Sequence, residues 1–143
     1  MARRADERGS ALMLMPAAVL IVFLLGSIAL DFSIVYLRQR QALNLAADAA
    51  NDAAIEGIDL ERFRRDGTTA LVDGDGLAAV EARYEDLATF GDEVELQIVV
   101  VDDLTVTATV RVDFGLVFAG IVPGADRDRS VEVSATAVAE ATG

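Results

Sequence analysis

Residues 11–30 read ALMLMPAAVLIVFLLGSIAL, twenty consecutive positions without a charged side chain. At about 1.5 Å per helical residue such a run is roughly 30 Å long, the thickness of a bilayer's hydrocarbon core. The pattern predicts a helix that crosses a membrane. Its flanks give the direction. Arg3, Arg4 and Arg8 precede it, whereas Arg38 and Arg40 on the far side are followed by Asp48, Asp52, Glu56, Asp59 and Glu61. Lys and Arg decide orientation, so residues 1–10 are expected to be a cytoplasmic tail and the remainder to lie outside.

A cleaved signal peptide is the rival reading. Ser27-Ile28-Ala29 offers a weak small-x-small site, but the apolar run exceeds the usual h-region of about 7 to 15 residues. Helix-compatible sequence also continues from Asp31 to Glu56 without Gly or Pro. A retained anchor is therefore expected. Pro16 lies early in the span, where it deletes one backbone hydrogen bond and is either tolerated or kinks the helix. Asp31 falls at the outer edge of the span. A carboxylate there reaches headgroup water, while one at the centre would cost about 2.5 to 3.5 kcal/mol. It either marks the membrane exit or pairs with a neighbouring subunit or a lipid headgroup.

Beyond the membrane the helix has two faces. Ala42, Ala46, Ala49 and Ala53 recur at spacings of four, three and four, and Asn44, Asp48, Asp52 and Glu56 climb the opposite side. A stripe of alanines permits close backbone approach, either to the chain's own domain or to a helix of another protein in an assembly. Gly57 then ends the helix as a C-terminal cap.

These residues carry a resemblance. The stretch DERGSALMLMPAAVLIVFLLGSIALDFSIVYLRQRQALNLAADAANDAA (6–54) resembles the amino-terminal region of the TadE/TadG-like proteins of the Flp (Tad) pilus assembly system, the TadG-like branch most closely. The matching features are the Arg8-Gly9-Ser10 start, the apolar span with Pro16, Asp31 at its exit, Tyr36 and Arg38 after it, and Ala47-Asp48-Ala49-Ala50. The resemblance implies a bitopic protein or minor pseudopilin without catalytic activity, which helps to build or anchor a thin pilus. Its partners would be the membrane and other pilus or secretion assembly proteins, met through the N-terminal helix, with a homo-oligomer also allowed. Gly9 and Ser10 would form a processing site. Members cleaved by a prepilin peptidase keep a Glu five residues beyond the Gly, where this chain has Leu14, so the likeness favours a membrane-resident protein over a processed subunit.

Composition narrows the chemistry. The 143 residues carry a net charge of -12, with 53% hydrophobic residues and a mean hydropathy of +0.39. There is no Cys, His or Trp, and all 12 basic residues are Arg. Disulfides are impossible, and the commonest general base and metal ligand are missing, so neither an enzyme nor a cofactor is expected. The acidic balance argues against nucleic acid, whose phosphates would be repelled.

The outer part is one small domain of roughly 85 residues. Residues 59–76 are polar and glycine-punctuated, with Phe63 among Glu61, Arg62, Arg64, Arg65 and Asp66, and predict a short amphipathic helix or a solvated loop. Asp73-Gly74-Asp75-Gly76 faintly resembles a calcium-loop start, but Leu77 stands where another oxygen ligand belongs, and a turn with a helix cap at Asp75 is preferred. Leu77, Val80, Tyr84 and Leu87 then mark a one-sided helix of about fourteen residues.

Alternation predicts three strands. They run through Val94, Leu96, Ile98 and Val100; through Leu104, Val106, Ala108, Val110 and Val112; and through Val131, Val133, Ala135 and Ala137. A loop of residues 101–103 would pair Val100 with Leu104 and Ile98 with Val106, keeping both apolar sets on one face; that loop or a bulge is expected. Between the second and third strands, FGLVFAGIVPG contains Phe114 and Phe118 and no charge. It predicts a short helix or crossover covering the sheet and closed by a Pro123-Gly124 turn, or an exposed patch meeting the bilayer surface or a partner.

The expected fold class is α+β: a long N-terminal transmembrane helix continuing outside the membrane, then a short helix packed on a three-stranded antiparallel sheet, pilin-like by the resemblance. The expected segments are 1–10 as tail, 11–57 as transmembrane and extended helix, and 58–143 as extracytoplasmic domain. The expected function is that of a non-enzymatic, membrane-anchored assembly component of a Flp (Tad) type pilus or related secretion apparatus. The alternative is an anchored or secreted binding module with an acidic surface. The residues that should matter are Pro16, Asp31, Arg38, Ala42, Ala46, Ala49, Ala53, Phe114 and Phe118.

Overall fold

A computed structural model describes residues 4–72, 74–90, 93–119, 124 and 126–139, with the backbone alone for residues 4–13. The chain forms α1 (Arg4–Glu56), α2 (Leu60–Asp66), α3 (Asp75–Leu87), β1 (Glu93–Val100), β2 (Thr105–Gly115) and β3 (Asp128–Val138). The class is α+β.

α1 is one helix of 53 residues and continues through Pro16. From Leu14 its apolar part is exposed on every side, with a mean hydropathy of 2.5 in its most apolar window. By length and composition this helix can cross a membrane. Its second half has a different environment. Ala42, Ala46, Ala49 and Ala53 have no exposed surface and pack in one core with Val106, Ala108, Val110 and Val112, which are equally sealed. The alanine stripe is thus the seam by which α1 lies on its own sheet. Of the two readings the sequence left open, the stripe takes the first, and these four residues are closed to a helix of another protein. Short side chains bring the helix axis close to the sheet, and the valines opposite supply the apolar area, about 1.5 to 3 kcal/mol for each one fully buried.

The sheet is antiparallel in the order β1-β2-β3. Val106, Val110 and Val112 of β2 face Ala137, Val133 and Val131 of β3, and Val100, Leu96 and Val94 of β1 face the same three β2 residues from the other side. One apolar face results, as the alternation predicts. The pairing differs from expectation by two residues: Val100 faces Val106 and Ile98 faces Ala108. The cause lies in the turn. Asp102 Oδ1 accepts from the N–H groups of Leu104 and Thr105 at 2.9 and 2.8 Å, and Val101 N–H donates to Thr105 at 2.8 Å, so the loop occupies residues 102–104. Those donors, Leu104 first, hold the Asp102 carboxyl below the usual carboxylate range. A slip of two keeps every side chain on its face.

Gly57 is not a left-handed cap, since positive φ among the described glycines occurs only at Gly67 and Gly124. Its bare Cα is needed for space: a Cβ would lie 2.8 Å from the Ala53 carbonyl oxygen and 3.1 Å from Leu77 Cδ2. α2 is capped by Asp59, whose carboxylate accepts from Glu61 and Arg62 N–H, and by left-handed Gly67. None of its residues is buried, so it is a surface helix without an apolar contact face. The segment after it is not wholly solvated, because Ala70 and Leu71 enter the core and Leu71 N–H donates to the Asp103 carbonyl at 2.8 Å. At α3 the N-cap is Gly74, and Asp75 is the first helical residue rather than the cap. Leu77 and Val80 of α3 are buried and Tyr84 is half-buried, but Leu87 at the helix end is exposed. Asp73 and the Ile121-Val122-Pro123 part of the apolar stretch lie outside the described residues, as do the first three residues of the tail, and Gly9 and Ser10 are described by their backbone alone.

Candidate functional site

Three of the residues singled out from the sequence come together at one end of the sheet. Asp31, one residue past the uncharged run, turns its Oδ1 toward the loop that leaves β2 and accepts from the N–H groups of Val117 and Phe118, both at 3.2 Å. A carboxylate 86 residues earlier in the chain thereby fastens the loop against α1. The adjacent Leu116 N–H donates to the Arg127 carbonyl at 2.8 Å. Three successive amides of the loop are satisfied internally. Asp31 therefore has partners within its own chain, which sequence reading did not offer.

Above this latch Phe114 is buried as part of β2, which runs three residues further than the alternation indicated. The predicted apolar connection accordingly starts at Leu116, and Phe118 is half-buried beside α1. Between this loop, the start of β3 and the apolar part of α1 runs an open groove of about 1370 Å³. Its walls include Pro16, Phe23, Ile28, Phe32, Phe114 and Phe118, and Arg129 is among the few charged residues on it. Arg38 does not belong to this site; its guanidinium donates to Gln41 Oε1 at 3.2 Å on the same helix.

A second polar cluster joins α1 to α3. Arg83 holds both carboxylate oxygens of Glu56 at 2.9 and 3.2 Å, and Tyr84 donates its hydroxyl to Asp52 at 2.8 Å. Glu56, first through its hydrogen bond and then through its charge, raises the Arg83 pKa above its ordinary value. Partial burial, then the Asp52 contact, pushes the Tyr84 hydroxyl up to about 12. Asp52 and Glu56, expected on the solvent side of the helix, serve instead to lock α3 in place.

Sequence reading missed one more arrangement. Glu81 and Glu85 fall between the apolar positions of α3, and Glu81 Oε1 accepts from Ile98 N–H at 2.6 Å and Glu85 Oε1 from Leu96 N–H at 3.2 Å. β1 is an edge strand, and these carboxylates occupy donors that would otherwise be open to another strand. A signal was present in the pairing of Glu at an i, i+4 spacing with an alternating strand soon after, but the reach of the two side chains depends on the tertiary crossing.

Compared with models of known protein families, with curated proteins and with solved structures, the chain matches none.

Proposed function

We propose that this chain is a non-enzymatic, single-pass structural or assembly component of a bacterial surface-fibre or secretion apparatus, of the TadE/TadG-like, minor pseudopilin-like kind. In this reading residues 11–30 hold the cytoplasmic membrane with the amino terminus inside, and the acidic α+β unit stands in the envelope space as a pilin-like head. One observation carries it: the exposed apolar half of α1 runs without interruption into the half that supplies the core of the domain. Such an arrangement positions a domain rigidly against a membrane. The two polar clusters described among the residues bind the chain to itself, which suits a positional role better than a chemical one.

Since the alanine stripe is covered, contact with assembly partners falls to the outward face of α1, where Leu43, Asn44, Ala47, Asp48, Asn51 and Ile55 are exposed. The chain has no native Cys, so single cysteines at Ala47 and Ile55 give unambiguous cross-links in intact cells. Fractionation should recover the full chain in the cytoplasmic membrane, and the cross-links should capture envelope assembly proteins or a second copy. A chain trimmed near Ala29 and released to the medium, still binding a cationic ligand by itself, would replace this reading with the secreted binding module.

A further inference from the structure

The loop after β2 combines two properties that ordinary solvated loops do not need together. Its side chains are apolar, with Val117 63% exposed and Phe118 half-buried, while the N–H groups of residues 116, 117 and 118 are all bonded within the chain. In water a loop amide is satisfied by solvent at no cost. In lipid it has no such partner, and each open N–H costs several kcal/mol. The Asp31 carboxylate makes two of these three bonds, and it stands where the uncharged span of α1 ends. The groove below it has one wall made by that span and the other by Phe114, Phe118 and the start of β3.

We propose that the loop of residues 116–119 is a second membrane contact, set into the outer leaflet beside the anchor, and that the groove between them holds a phospholipid. This rests on the membrane-anchored reading above. The acyl chain lies along Phe23, Ile28, Phe32 and Phe118, and the phosphate meets Arg129 at the rim. A phospholipid is favoured over a partner protein because the groove's α1 wall belongs to the helix segment at hydrocarbon depth, where acyl chains are the medium. Arg129, on the groove wall at the start of β3, supplies positive charge there, although Asp126, Asp128 and Asp113 flank it in sequence or across the sheet. The donors of residues 116, 117 and 118 are filled in advance, so these three amides need no water when the loop enters the interface.

The absence of Trp makes the test direct. Single tryptophans are placed in the full chain at Val117, at Leu20 in the span, and at Val101 in the distant β1–β2 turn, all exposed positions where the larger ring displaces nothing. Each variant is reconstituted into phosphatidylcholine/phosphatidylglycerol nanodiscs with and without lipids brominated in the upper acyl chain. V117W should emit at short wavelength and lose emission to the bromolipid, as L20W does, while V101W should be unaffected. Adding R129E to V117W should reduce that loss. Quenching of L20W without quenching of V117W overturns the loop contact and leaves the anchor standing. Absence of quenching at both positions overturns the anchor itself. An R129E variant quenched as strongly as its parent removes the phosphate contact.

Discussion

The alanine seam gives the sharpest test of how this molecule is organised. Ala49 and Ala47 are two residues apart on one helix, but Ala49 has no exposed surface and Ala47 faces outward. Replacing either by Leu adds the same three carbons. At Ala49 there is no room for them, since Val106, Ala108, Val110 and Val112 in the same core are sealed as well. The leucine must adopt a poor rotamer or lift α1 from the sheet. Overpacking of this kind costs about 1–3 kcal/mol, and the complete closure of both sides puts Ala49→Leu at about 2–3 kcal/mol. Ala47→Leu should stay within about 0.5 kcal/mol of the parent. For a folded unit of about 100 residues the first change lowers Tm by about 10–15 °C. Thermal unfolding of the sheet in detergent micelles, followed by circular dichroism at several protein-to-detergent ratios, provides the measurement. An intramolecular seam requires the same loss at every ratio, because linkage to association would make Tm depend on protein concentration. Equal losses for the two leucines, or a loss that fades as protein concentration rises, would refute the packing described.

Other outcomes follow from single contacts. Asp31→Ala removes the acceptor for Val117 and Phe118 N–H; with about 1–2 kcal/mol lost from an exposed charged pair of bonds, amide exchange at those two residues should accelerate about tenfold or more while the sheet is unchanged. Tyr84 should produce an alkaline transition. Its folded pKa of about 12 lies above the ordinary 10.0, so its contribution is complete below pH 10 and disappears as pH rises toward 12. Tyr84→Phe should flatten the stability profile over that interval, as read from denaturant midpoints at graded pH. Gly57→Ala drives a Cβ to 2.8 Å from the Ala53 carbonyl and should cost about 1–3 kcal/mol in the same unfolding assay. Glu81→Ala leaves the Ile98 N–H open on the β1 edge; about 1–2 kcal/mol of stability and faster exchange at Ile98 are expected.

Periodicity carried much of the architecture. Period-two alternation in three segments is enough to define a sheet with one apolar face, and the unbroken run from residue 31 to residue 56 is enough to define a helix that leaves the apolar span intact. Pairing registers escaped by two residues because the Asp102 side chain chooses which residues close the turn, and that choice leaves facial parity untouched. The alanines announced a close contact but contain nothing that distinguishes a sheet of the same chain from a foreign helix. The contacts of Glu81 and Glu85 were not legible, because helical spacing reports a face and not the reach of long side chains toward a strand edge. Asp31 was recognised by its position, while its partners, 86 residues away, depend on a crossing that no local pattern encodes.

The shared body of α1 has a mechanical consequence. Between Asp31 and Glu56 there is neither Gly nor Pro, and from Ala42 onward the helix is glued to the strands. With the apolar part of α1 held in a bilayer, as proposed, a pull applied to the sheet would find no joint in which to dissipate before it reached the lipid. The domain and its stalk would tilt as one lever, and any load borne outside would be felt as torque on the bilayer.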